Sequence, residues 1–131
     1  MRAGVHLMQT NRFIKKRFAF KKINKLKSKK SFQYVYSKGV TFVDPLSVFY
    51  ILSGQEQEVK LGLAVGKKLG CAVVRNRIKR MMREVFRMHQ AELKGGYHIV
   101  WVARRKLTRA DYKTFERAFL RLAKRAALLR E

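Results

Sequence analysis

The chain has 131 residues, 47% of them apolar, which is enough for one domain with a real core. Thirty-two Lys/Arg against eight Asp/Glu give a net charge of +24 and a pI of about 11.1, a field that attracts polyanions but says little about fold. No run reaches the length of a membrane-spanning helix, the basic N-terminus lacks a secretory signal pattern, and the single Cys71 excludes an internal disulfide framework. Cytoplasmic location is the expectation.

Residues 1–26 read as a basic, flexible N-terminal arm ahead of a folded domain at 27–131. The first thirty positions hold eleven Lys/Arg, and no acid precedes Asp44. Ser28 offers an N-cap, and Phe32, Val35 and Tyr36 then repeat at helical spacing before Gly39, which predicts a short helix over 28–37. Val40–Val43 is extended, and Asp44-Pro45 breaks the run. Leu46–Ser53 and Val59–Val65 are β-rich segments about a polar loop, and their simplest pairing is an antiparallel hairpin. The turn Gly66-Lys67-Lys68 lacks the upstream glycine and following Ser/Thr of a phosphate-cradling P-loop.

The stretch from Lys67 to His89 carries eight Lys/Arg and one acid, Glu84. On a helix, Val74, Ile78, Met81, Met82, Val85, Met88 and His89 share one arc. Arg75, Asn76, Lys79, Arg80, Arg83 and Arg87 lie largely on the other, with Phe86 at the border. A charged face usually alternates signs, so that opposite charges support the helix. Here like charges repel, and a phosphate-bearing partner would relieve them. A solvated charge run is the bland alternative, disfavoured by how one-sided this run is. The helix also lacks an apolar insertion face beyond what a core needs, which places nucleic acid ahead of an anionic membrane. Cys71, at the entry to this helix, reads as a small structural residue.

After Gly95-Gly96, Tyr97–Ala103 is an apolar strand expected to be buried on both faces. Strand, crossover helix and strand make a parallel βαβ unit, right-handed by the general rule. Arg104-Arg105-Lys106 is a second basic cluster. Thr108 and Asp111 have the spacing of a capping box. A last helix over 109–129 would place Tyr112, Phe115, Phe119, Leu122, Ala126 and Leu129 on a core stripe.

No catalytic constellation stands out. His6, His89 and His98 read as structural, and the acids are too scattered to make a carboxylate pair for Mg2+. The aromatics are more informative. Phe32 and Tyr36 share a helix face, while Phe49 and Tyr50 point to opposite sides of a strand. Phe49 is expected in the core. Phe32, Tyr36 and Tyr50 are divided between core and a groove for stacking single-stranded bases.

Taken together, the segments resemble the protein component of bacterial ribonuclease P. Val74-Arg75-Asn76-Arg77-Ile78-Lys79-Arg80, continued by Arg83 and Phe86, looks like that family's Arg-Asn-Arg helix. Leu61-Gly62-Leu63-Ala64-Val65-Gly66-Lys67-Lys68 looks like the segment before it, and Phe32-Gln33-Tyr34-Val35-Tyr36 with Lys38-Gly39 like its first helix. The resemblance spans about Asn24 to Leu129. It implies an α+β single domain of α-β-β-β-α-β-α order, a small sheet and a left-handed βαβ crossover, in a ribosomal-protein-like fold. It also implies a catalytic RNA partner that removes the 5′ leader from precursor tRNA, with Mg2+ in the RNA active site and no cofactor, metal or catalytic group supplied by the protein. RNA-subunit contacts would fall on Lys67, Lys68, Arg75, Asn76, Arg77, Lys79, Arg80 and Arg83, and leader contacts on Phe32, Tyr36 and Tyr50. Three departures stand out: a longer basic arm, Cys71 at an often polar position, and Ser47 where relatives often place an aromatic of the cleft. The competing expectations are a structural RNA-binding protein such as a ribosomal one, motivated by charge alone, and a protein-only nuclease.

Overall fold

A computed structural model of the protein describes residues 25–26, 28–54 and 57–130. Ser28 caps the first helix, α1 (Lys29–Lys38). Its Oγ accepts the Ser31 N–H at 3.1 Å, and at the far end the Gly39 N–H donates to the Val35 carbonyl at 2.8 Å. β1 (Val40–Val43) and β2 (Ser47–Ser53) follow, joined at Asp44-Pro45, where the Asp44 N–H donates to the Ser47 carbonyl at 2.9 Å. β3 (Lys60–Ala64) leads through a 3-10 turn, Lys67–Leu69, into α2 (Ala72–His89). β4 (Tyr97–Ala103), a 3-10 turn at Arg105–Leu107 and α3 (Tyr112–Arg125) complete the order α-β-β-β-α-β-α.

The sheet order is β1-β2-β4-β3, with β2 antiparallel to both β1 and β4, and β3 parallel to β4. The parallel β3–α2–β4 unit is the one expected. The β2–β3 hairpin is not formed, because β4 lies between them. The reason is burial. β4 carries Ile99, Val100 and Trp101, all fully buried, and so must be covered on both faces and both edges. β3, with Lys60 and Gly62, tolerates an outer position. Its outer edge meets Lys25 and Leu26, the Leu26 N–H donating to the Leu61 carbonyl at 3.1 Å. Leu26 is buried there. The rest of the predicted arm lies outside the described residues.

The last helix is shorter than its stripe suggested, and its cap differs. Asp111 is the N-cap, its Oδ1 accepting from the Thr114 N–H at 2.9 Å and the Thr114 hydroxyl at 2.6 Å. Thr108 instead donates its hydroxyl to the Arg105 carbonyl at 2.7 Å, finishing the preceding turn. At the other end Ala127 adopts a positive φ of 56° and turns the chain back. Leu129 then pairs with Leu93 rather than continuing the helix.

The main core lies between one sheet face and α2 with α3. Phe49, Leu61, Ile99 and Trp101 meet Ile78, Met82, Val85 and Phe86 from α2 and Phe115, Phe119 and Leu122 from α3. Phe86, a border residue on the helical projection, is fully buried. Phe49 meets Trp101 and Phe119 edge-on, and Trp101 lies tilted against Phe119, with centroids 5.0 to 5.9 Å apart. The opposite sheet face is covered only in part, by α1, through a small cluster of Leu26, Val35 and Val100.

Candidate nucleic-acid interface

The apolar arc of α2 is fixed by the core, so its other face must point outward. Asn76 and Arg80 are exposed there, with Lys79 and Arg83 half-buried beside them. Lys67 and Lys68 are exposed on the turn that feeds the helix. Gly70 ends that turn at φ 147°, a backbone conformation that favours glycine, and its carbonyl accepts from Arg75 Nε at 3.1 Å. Among the described residues no carboxylate pairs with Lys67, Lys68, Lys79, Arg80 or Arg83. Four of the described acids are engaged elsewhere: Glu84 with Arg87, Asp44 with Arg121, and Glu92 and Glu116 with His89. The Arg87 guanidinium holds the Glu84 carboxyl below its ordinary pKa.

Arg77 stands apart from this set. Its guanidinium donates to the carbonyls of Thr108 at 3.4 Å and Ala110 at 3.1 Å, tying α2 to the loop after β4. That loop brings Arg105, Lys106 and Arg109 to a cavity shared with Lys68. The sequence marked the cluster Arg104-Arg105-Lys106 but did not place it against Lys68. No local pattern carries that contact, which depends on the β4–α3 connection returning to α2. Cys71, at the N-cap of α2, is exposed, and the amides of Val74 and Val73 pull its thiol pKa down.

The aromatic residues gather on the sheet face under α1. Tyr36 meets Tyr50 edge-on at 4.7 Å between centroids, and Phe32 lies 6.5 Å from Tyr36. Phe32 rests on Gly62, where a Cβ would come within 2.5 Å of its ring. Val48, Val102 and Ala64, adjacent in register and half-buried, continue this surface as a trough-like strip beside α1. Tyr36 is 38% exposed, and partial burial followed by Tyr50 raises its phenol pKa. Phe49 points to the other face, into the core, as expected. Ser47 also lies on the core side, fully buried, so it forms no part of the trough floor. Val48 takes that place.

His89 bridges Glu92 through Nδ1 at 3.0 Å and Glu116 through Nε2 at 2.6 Å, its ring against Phe119. Both ring nitrogens are occupied in a contact that joins the end of α2 to α3. His98 sits half-buried in β4, and His6 lies outside the described residues. Among the described residues no group of three or more His, Cys, Asp or Glu is placed to hold a metal ion, and no helix is long and apolar enough to cross a membrane.

A small α+β domain with a cationic helix face on which Lys79, Arg80 and Arg83 have no carboxylate partner among the described residues, and an aromatic trough on the opposite side of its sheet, is an RNA-binding protein by class. The family model for ribonuclease P matches residues 20–127. The ribonuclease P protein component of Caldanaerobacter subterraneus subsp. tengcongensis is 39% identical over 110 residues, covering 84% of this chain and 95% of the relative. That of Clostridium botulinum (strain Langeland) is 38% identical over 108 residues, covering 82% and 97%. Among solved structures, the RNase P protein of Staphylococcus aureus superposes with a TM-score of 0.76 at 29% identity, covering 82% of this chain and 98% of that one. The protein from Thermotoga maritima gives 0.72 at 30%, covering 77% and 96%. The chain belongs to the ribonuclease P protein component family.

Proposed function

We propose that the protein binds the RNA subunit of ribonuclease P through the outer face of α2 and holds the single-stranded leader of precursor tRNA in the trough beside α1. Bond cleavage, with its Mg2+, belongs in this reading to the RNA. The observation that carries it is the run Lys79, Arg80 and Arg83 with Lys67 and Lys68, cations whose counter-charges the described residues do not supply. RNA phosphates would neutralise them with release of counterions. Two large polyanions repel, and a polycation placed between them lowers the salt and metal needed for their association. Asn76, exposed among these cations, both donates and accepts hydrogen bonds toward RNA. Arg75 is half spent on the Gly70 carbonyl and keeps its outer nitrogens for phosphate.

Phe32, Tyr36 and Tyr50 present ring surface to a strand lying over Val48, Val102 and Ala64, where stacking is worth about 1–3 kcal/mol per base. His89, with both nitrogens engaged, has none left to move a substrate proton. Precursor tRNA places the work in the cytoplasm. The test uses the full chain. Alone, it leaves precursor tRNA uncut. Added to its RNA subunit, it lowers the Mg2+ required for cleavage at the mature 5′ end. Cleavage at that end by the RNA-free protein overturns this division of labour.

A further inference from the structure

α1 divides the sheet face on which it lies. Phe32 rests on Gly62 and Tyr36 meets Tyr50, so the helix covers the row Tyr50–Val100–Gly62. One neighbouring row, Val48–Val102–Ala64, floors the trough. The other, Leu52–His98–Lys60, lies on the far side of the helix. There Lys30, Ser31 and Tyr34 of α1 face Leu52, Ser53 and His98 across a second cavity of about 640 Å3, a size suited to a small planar ligand. Tyr34 is 59% exposed, the most exposed large aromatic among the described residues.

The charge around this cavity is also one-sided. The first turn of α1 holds Lys29 and Lys30 and no acid, where helices ordinarily favour carboxylates. A shallow hollow lined by Lys30, Gln33, Tyr34, Tyr36 and Ser37 runs over the outer surface of the helix. It shares Tyr36 with the trough and Lys30 and Tyr34 with the second cavity, so the two are joined across one helix diameter, about 10 Å.

We propose that the second cavity binds an unpaired nucleotide of the leader, further 5′ than the portion in the trough. Its base stacks on Tyr34 and its phosphate lies beside Lys30. The assignment rests on the trough reading above, and the test separates the two. Holoenzyme is reconstituted from the full chain and its RNA subunit. Its affinity is measured for one precursor whose leader spans only the trough and for another whose leader is long enough to cross α1. Tyr34→Ala weakens the long-leader precursor about fivefold to tenfold and leaves the short-leader one unchanged. Tyr34→Phe, which keeps the ring, behaves like the parent. Tyr36→Ala weakens both precursors. An unchanged thermal midpoint for Tyr34→Ala confirms that the fold is intact. If Tyr34→Ala leaves the long-leader precursor unaffected, or weakens both equally, the second cavity is overturned while the Tyr36 result stands. If Tyr36→Ala affects neither, the trough fails, and the cavity is judged by the two Tyr34 measurements alone.

Discussion

Both carboxylate oxygens of Asp44 receive nitrogens of Arg121, at 2.9 and 3.0 Å, and Oδ2 also accepts the Leu46 N–H at 3.0 Å. The carboxylate is 4% exposed, and the hydrogen bonds from Arg121 hold its pKa below the ordinary value against the opposing effect of burial. In the sequence, Asp44-Pro45 reads only as a strand breaker. The partner is 77 residues further on, and nothing local announces it. Because the folded pKa is depressed, the stabilisation is complete above the unfolded carboxylate's pKa, about 3.9, and is lost as pH falls through the lower folded value. Asp44→Asn is therefore expected to lose about 1.5–3 kcal/mol at neutral pH. Its stability should also change less than the parent's on acidification. Urea titrations of both proteins from pH 7 to the acid limit of folding check this, and parallel curves would remove Asp44 from the account. Gly62 supplies a second case. A methyl there meets the Phe32 ring at 2.5 Å, so Gly62→Ala should displace Phe32 and weaken precursor binding. A smaller ring-site residue, in the double variant Gly62→Ala with Phe32→Leu, should recover the thermal midpoint but not the affinity, since stacking area is lost.

At the scale of elements, legibility follows how local the determining contacts are. α1 and the strand Tyr97–Ala103 are readable because an N-cap serine, a closing glycine and the apolar run Ile99–Ala103 each act within their own segment. The β2–β3 pairing is not readable, since a strand buried on both faces claims the middle of the sheet whatever its place in the chain. α2 combines the two cases. Its apolar arc is plain from spacing, but its signature arginines do different work. Arg80 is exposed, while Arg77 donates to two carbonyls of the loop that carries Arg105, Lys106 and Arg109. Arg77→Ala is expected to reduce stability by about 1–2 kcal/mol, from hydrogen bonds lost by a charged donor. Arg80→Ala should leave stability within about 0.5 kcal/mol of the parent. It should instead reduce the salt dependence of RNA-subunit binding by about one unit. Thermal unfolding and binding isotherms across a salt series separate the two roles. A full unit of slope lost by Arg77→Ala at unchanged stability would make Arg77 a phosphate ligand like its neighbour.

For the whole molecule, the sheet is the organising plane. Its core face carries α2 and α3, and its other face carries α1 and the trough, so the cationic helix and the aromatic residues sit on opposite sides of four strands. The two surfaces share no side chain and no hydrogen bond among those described for Arg80, Tyr36 and Tyr50. Energies of well-separated sites add, whereas sites that share partners couple by about 0.5–3 kcal/mol. Tyr36→Ala is expected to reduce the preference of the holoenzyme for precursor over mature tRNA by about 1–3 kcal/mol. Arg80→Ala should weaken assembly with the RNA subunit and leave that preference unchanged once assembly is saturated. In the double variant the two losses should add to within about 0.5 kcal/mol. Measuring assembly and both tRNA affinities for the four proteins of the cycle decides the matter. Coupling well beyond that margin would mean that the leader and the RNA subunit compete for a common patch, and the nearest such patch is the end of β3, where Ala64 of the trough floor leads directly to Lys67 and Lys68.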